Sequence, residues 1–212
     1  GRFLANASQA SRKDARDAVV AARSDFGGWS GRTAYNRGQV VYRIAEVMED
    51  RRPQFVDALV SSEGLTARQA SSALDAAVDR LVWYAGWADK LTQVVGNANP
   101  VSGPYFNLST PEPTGVVAVL APQASSLLGL VSVVAPVIVS GNTCVVVSSY
   151  ARPLPAVTFS EVLRQNLRVA DAAAFSLCHD NGLPMLVFGA EGDDTIVRAV
   201  TGDKIGTLIT TD

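Results

Sequence analysis

A strand–helix–strand signature in the middle of the chain narrows its possible folds more than any other feature. Two short apolar runs, Val116 to Leu120 and Thr143 to Val147, flank a long apolar stretch that begins near Ser125. Such runs read as buried strands. The stretch between them predicts a helix over 125–140, ended by Gly141 at the left-handed position that favours a residue without Cβ. Leu127 to Val139 is interrupted by Pro136 and falls short of the ~20 apolar residues needed to span a bilayer, so it reads as a buried helix.

Upstream, the periodicity is helical. Ser11 with Asp14 forms a capping-box pattern, and the helix it opens is expected to bury Ala15, Ala18, Val19 and Ala22. Phe26, Gly27, Gly28 and Trp29 read as a turn with an aromatic anchor. A second helix is expected from about Thr33 to Glu49, with Val41, Ile44, Ala45 and Met48 on one stripe. Pro53 can open a third, carrying Val56, Leu59 and Val60 and stopping near Gly64. Thr66 with Gln69 is another capping box. The stripe behind it is Ala70, Ala73, Leu74, Ala77, Val78, Leu81, Ala85 and Ala88, small enough for close packing.

From Gly96 the texture changes. Asn97, Asn99, Pro100, Gly103 and Pro104 read as a loop, and Tyr105 to Ser109 as strand-like. After the central unit, Pro153 opens a helix to about Arg164. A helix around Ala172 to Leu177, a strand Met185 to Phe188, a helix Asp194 to Val200 and a strand Ile205 to Thr210 complete the chain. The expectation is an α/β fold: a helical N-terminal half followed by a Rossmann-like, largely parallel, doubly wound sheet. Residues 1–95 would supply helices packing on the sheet and 96–212 the α/β portion with its hairpin, in one structural domain.

Composition excludes some functions. Apolar residues make up 48% and charged residues 18%, with a net charge of -2, so no basic surplus exists to hold nucleic acid. The only cysteines are Cys144 and Cys178 and the only histidine is His179, too few soft ligands for a structural metal site. Few cysteines, no signal-like N-terminus and no membrane span lead to a cytoplasmic expectation.

The stretch PEPTGVVAVLAPQASSLLGLVSVVAPVIVSGNTCVVVSSYARPLPA resembles the aldehyde dehydrogenase superfamily. There, a strand beginning P-x-G-V-V ends in P-W-N, a helix ends A-P-A-L-x-x-G-N, the next strand runs T-V-V-x-K-P-S/A-E, and the next helix opens T-P-x-x-A. Pro113, Gly115, Val116, Val117, Pro122, Ala135, Pro136, Gly141, Asn142, Thr143, Val145, Pro153, Leu154 and Ala156 stand in register without a gap. The leading helices, with their Trp-containing turn and the run ending at Glu63-Gly64, are also similar, so the resemblance covers roughly residues 8–163. It implies the NAD-binding part of such an enzyme and the start of its oligomerisation hairpin. By position, the cofactor residues would be Leu120, Ala121, Pro122, Gln123, Ala124, Val147, Ser148 and Tyr150.

The departures fall on chemistry. The family's P-W-N asparagine helps hold the oxyanion, and here the motif reads Pro122-Gln123-Ala124. Losing one such donor costs about 100- to 1000-fold in rate. The ribose-binding lysine falls at Val147 and the nearby glutamate at Tyr150. The family's catalytic cysteine lies in a separate downstream domain that these residues do not include. Cys144 reads as a buried small hydrophobe. Cys178 and His179 are adjacent, and neighbours on one helix point about 100° apart, which disfavours a dyad. Trp83, Tyr84 and Trp87 read as packing, Asp193 and Asp194 as helix caps, and the arginines at 12, 16, 23, 51 and 52 as solvated.

The last segment, LRVADAAAFSLCHDNGLPMLVFGAEGDDTIVRAVTGDKIGTLITTD, resembles the C-terminus of bacterial uridylate kinases, through Asp171, Leu177, Cys178, Asp180, Asn181, Pro184, Phe188, Arg198, Gly202, Gly206 and Thr207 among others. A junction of two parentages is therefore expected within 157–166. The resulting reading is a catalytically inactive, aldehyde-dehydrogenase-like fragment. It binds NAD weakly at most and assembles as a homo- or hetero-oligomer with an aldehyde dehydrogenase-type chain. The alternatives are an NAD-dependent aldehyde oxidoreductase completed by a partner and a uridylate-kinase-like protein.

Overall fold

Side chains that accept the first unpaired N–H groups set the helix starts. They do so here in a computed structural model that describes residues 10–149, 151–166, 185–188 and 206–209. Ser11 and Asp14 form the expected box at the head of α1 (Arg12–Ser30). Thr33 caps α2 (Ala34–Asp50), and Thr66 with Gln69 opens α4 (Ala67–Ala85). Between them α3 (Arg52–Glu63) carries Pro53 in its first turn and ends at Gly64, whose φ of 68° is left-handed.

Two expectations for α1 are corrected. Residues 26–29 continue the helix instead of turning, although two glycines there cost about 1 kcal/mol each relative to alanine. Tertiary anchoring offsets that cost, since Trp29 Nε1 donates to the Ile138 carbonyl at 2.8 Å. Nor does α1 bury a stripe: Ala15 is exposed and Val19 is 46% exposed. The helix touches the rest of the fold mainly through its C-terminal half.

The centre of the helical layer is α4, which packs on α2 and α3 and on α6 (Leu128–Val139). Its Ala70, Leu74, Ala77 and Leu81 are fully buried, as are the expected α2 residues Val41, Ile44, Ala45 and Met48. A Cβ added at Gly38 of α2 would lie 3.0 Å from the Ala85 carbonyl oxygen and from the Ala88 Cβ, so these helices meet almost backbone to backbone. In α3 the expected Leu59 is buried, but Phe55 joins it completely buried while Val56 and Val60 are only partly so, which shifts the expected face.

A short helix α5 (Leu91–Val95) leads to β1 (Asn97–Asn99), which pairs antiparallel with β2 (Asn107–Ser109). Asn97 and Asn99, read from sequence as loop, are thus strand residues. Asn99 Nδ2 donates to Asn107 Oδ1 and Ser109 Oγ across the pair.

The central signature forms as expected. β3 (Val116–Leu120) and β4 (Thr143–Val147) pair in parallel, Val116 against Thr143 through Leu120 against Val147, with α6 as the crossover. Ser125 and Ser126 lie in the turn before α6 instead of within it. Successive side chains of a strand alternate between faces. Val117, Val119 and Cys144 join the core cluster. Thr143 lies on the opposite face, where its Oγ1 donates to the Ala22 carbonyl of α1 at 2.8 Å. That cover reaches only the strand starts. Leu120 is 75% and Val147 56% exposed, so neither strand is buried on both faces as expected.

α7 (Leu154–Asn166) closes the layer against α2 and α3. Arg51 Nη2 reaches Glu161 of α7 at 3.2 Å and is largely covered, while Arg52 bridges Glu49 and Asp75 at 2.6 Å each. These two arginines are therefore structural ties, in contrast to the solvated reading. Hydrogen bonds to Glu49 and Asp75 raise the Arg52 pKa.

Residues 1–166 form one compact unit and 167–212 a second. In the second, β5 (Met185–Phe188) and β6 (Gly206–Ile209) stand where strands were expected and pair antiparallel. The helices expected at 172–177 and 194–200 lie outside the described residues. No helix among the described residues is long and apolar enough to cross a membrane.

Candidate functional site

Ligands of open α/β sheets bind beyond the carboxyl ends of parallel strands. Here those ends are set by what happens at the opposite ends. Asn142, just before β4, accepts on Oδ1 from the N–H groups of Thr114 (2.7 Å) and Gly115 (2.9 Å) and from Thr114 Oγ1 (3.1 Å). Its Nδ2 donates to Ser140 Oγ at 3.0 Å. One amide thus aligns both strands. Gly141 beside it has φ 89°, and a Cβ there would meet Pro113 Cγ at 2.8 Å. Arg37 Nε donates to the Val139 carbonyl at 3.1 Å, and Trp29 to that of Ile138, so the free carbonyls ending α6 are satisfied from α1 and α2.

At the carboxyl ends, the structure brings seven of the eight position-derived residues together. Leu120, Ala121, Pro122, Gln123 and Ala124 leave β3; Val147 and Ser148 leave β4. The Ala121 N–H donates to the Val147 carbonyl at 2.9 Å, extending the pairing one step past the strand. Tyr150 lies outside the described residues, as do Cys178, His179, Asp193 and Asp194.

Three side chains that the motif comparison did not single out tie the two loops. Ser149, almost wholly buried, donates from Oγ to Gln123 Oε1 at 3.0 Å and accepts the Arg152 N–H at 3.2 Å. Arg152 Nη1 donates to the Ala124 carbonyl at 3.1 Å. Glu63, at the end of α3, accepts from the Ser126 N–H at 3.0 Å and from Ser126 Oγ. Apart from the local Ser149–Arg152 bond, these contacts join residues far apart in the chain, so sequence spacing could not reveal them; the one signal was the Glu63-Gly64 helix stop.

The fit to a dinucleotide is partial. The open strand ends leave room, and Gly129 lets α6 approach closely: a Cβ there would lie 3.0 Å from Pro122 Cγ. The donor side chains do not fit. Val147 presents an exposed apolar surface at the end of β4, and Ala124 carries no amide.

Cys144 stands near the start of β4, at the opposite end of the strand from this crevice, and burial pushes its thiol pKa up, away from the reactive thiolate. In the folded chain, alkylation of Cys144 by iodoacetamide at pH 8 is expected to be at least about tenfold slower than in urea, judged by peptide mapping. Equal rates would mean the thiol is open to solvent.

The sequence profile of the aldehyde dehydrogenase family matches residues 1–185. The putative aldehyde dehydrogenase DhaS of Bacillus subtilis is 28% identical over 208 residues, 97% of this chain and 40% of that protein. Betaine aldehyde dehydrogenase of Staphylococcus aureus, solved as a double mutant in complex with NAD+, superposes with a TM-score of 0.71 at 26% identity, over 78% of this chain and 33% of that one. An NAD-dependent benzaldehyde dehydrogenase from Corynebacterium glutamicum superposes with a TM-score of 0.71 at 25% identity, over 79% of this chain and 36% of that one. Separately, a segment is 60% identical over 65 residues to uridylate kinase of Mycobacterium tuberculosis, 31% of this chain and 25% of the kinase. The chain thus spans well under half the length of each of these relatives. With the profile running through β3, α6, β4 and α7, this chain belongs to the aldehyde dehydrogenase family.

Proposed function

We infer that residues 1–166 form an aldehyde-dehydrogenase-type dinucleotide crevice that has lost its side-chain grips. It therefore holds NAD weakly and does not itself oxidise aldehydes. The observation carrying this reading is the pair of substitutions at the strand ends, Ala124 and Val147, in a framework whose aligning residues Asn142 and Gly141 are retained. The same reading makes the chain an assembly partner of an aldehyde dehydrogenase-type chain. The exposed Tyr105, Phe106 and Leu108 of the β1–β2 hairpin support that role. A partner-completed enzyme is the nearer alternative. The uridylate-kinase reading rests on the shared segment alone. The junction expected within 157–166 stays part of this proposal, supported by the unit boundary after Asn166; the family profile, which runs on to residue 185, overlaps it.

Titration with NAD tests the crevice. The unchanged chain is expected to bind only in the millimolar range, and Val147→Lys to tighten binding about tenfold, the gain from one hydrogen bond by a charged donor. Micromolar binding by the unchanged chain would show that the ribose grip is not missing. No binding at millimolar NAD with either chain would favour a purely structural module. Aldehyde turnover by the pure chain would overturn the inactive reading.

A further inference from the structure

At the turn entering α6, Ser125 Oγ accepts the Gly129 N–H at 3.1 Å, while Leu127 next to the helix offers no acceptor side chain. A further acceptor, for Ser126, arrives from α3, 63 residues earlier in the sequence. Glu63 Oε1 takes both the N–H and the hydroxyl of Ser126, and Glu63 Oε2 lies 3.9 Å from Arg152 Nη1. The same guanidinium nitrogen holds the Ala124 carbonyl. Ser126 is 3% exposed and the Glu63 side chain 10%. A carboxylate taken so far out of water needs compensating partners, and here an amide and a hydroxyl donate to it while a guanidinium stands 3.9 Å away. One carboxylate thus joins the loop after β3, the loop after β4 and the end of α3.

With alanine at 124, that loop offers a ligand its backbone in place of an amide side chain. Where the backbone sits then matters more than usual, and the ties at Ser126 and Ala124 both run through the Glu63–Arg152 pair. We propose that Glu63 is a positioning residue for the crevice, holding the backbone of 122–126 in the shape that meets a dinucleotide. This rests on the dinucleotide reading above; the anchoring itself does not.

The test uses the full chain, with Glu63→Ala and Glu63→Gln, NAD titrated by NMR and amide exchange followed in the same samples. Glu63→Ala should weaken NAD binding roughly tenfold and speed exchange across 123–127 by a similar factor, the loss of hydrogen bonds to a charged acceptor. Amides of α4 should exchange at the unchanged rate. Glu63→Gln keeps an oxygen for Ser126 and should retain affinity within about threefold. Unchanged affinity in Glu63→Ala would overturn the proposal. So would a loss that comes with equally faster exchange in α4, which would mark a general structural role. If the unchanged chain binds no NAD, the dinucleotide reading fails. The exchange at 123–127 then decides the anchoring alone, with no acceleration in Glu63→Ala refuting it.

Discussion

Replacing Phe55 with alanine is expected to lower the stability of residues 1–166 by about 3–5 kcal/mol. Phe55 is the largest fully buried side chain of α3, in a cluster with Ile44, Met48, Leu59 and Leu74. Its removal forfeits transfer free energy and leaves a cavity that α3 cannot easily close, because α3 is tied at both ends. Arg51 and Arg52 fix its start to α7 and α4, and Glu63 fixes its end. A domain is typically stable by only about 5–15 kcal/mol, so the loss would remove a large share of the total. Urea unfolding followed by far-ultraviolet circular dichroism checks it. A midpoint shift worth under about 1 kcal/mol would mean the cavity collapses, or that the side chain is less enclosed than described.

Asn142→Ala should cost about 2–5 kcal/mol, from two backbone N–H groups and a hydroxyl left without their acceptor. The residue is 9% exposed, so water cannot readily replace the lost oxygen. Ser140→Ala removes only the partner of Asn142 Nδ2 and the local bonds of Ser140, and should cost about 0.5–1.5 kcal/mol. The damage should also be localised. Amides of β3 and β4 are expected to lose exchange protection in Asn142→Ala before those of α4 do. Equal stabilities for the two variants would show that Asn142 aligns nothing.

The strand ends and helix caps were legible in the sequence because they are local. β3 and β4 begin and end at the expected residues, both capping boxes form, and the buried stripes of α2 and α4 follow from a 3.6-residue period. The candidate crevice was legible for a related reason. Its backbone follows the strand ends, so motif position placed seven of the eight proposed residues beside one another. Burial was less legible. An apolar run of five residues cannot say whether a second layer covers it, and Leu120 and Val147 are open. The glycines at 27 and 28 suggested a turn that the anchoring of Trp29 overrides.

By itself, then, the sequence determined most of the elements, both capping boxes, the parallel unit and the apolar side chains at 124 and 147, because backbone propensity and side-chain chemistry act within a few residues. Only the tertiary structure decided which distant groups hold that unit in place: Glu63 on Ser126, Arg152 on Ala124, Asn142 on Thr114 and Gly115. Each of these joins chain segments 27 to 63 residues apart. Hydrogen bonds need atoms within about 3 Å and a narrow angle, and no spacing in a linear sequence fixes that until the helices have packed.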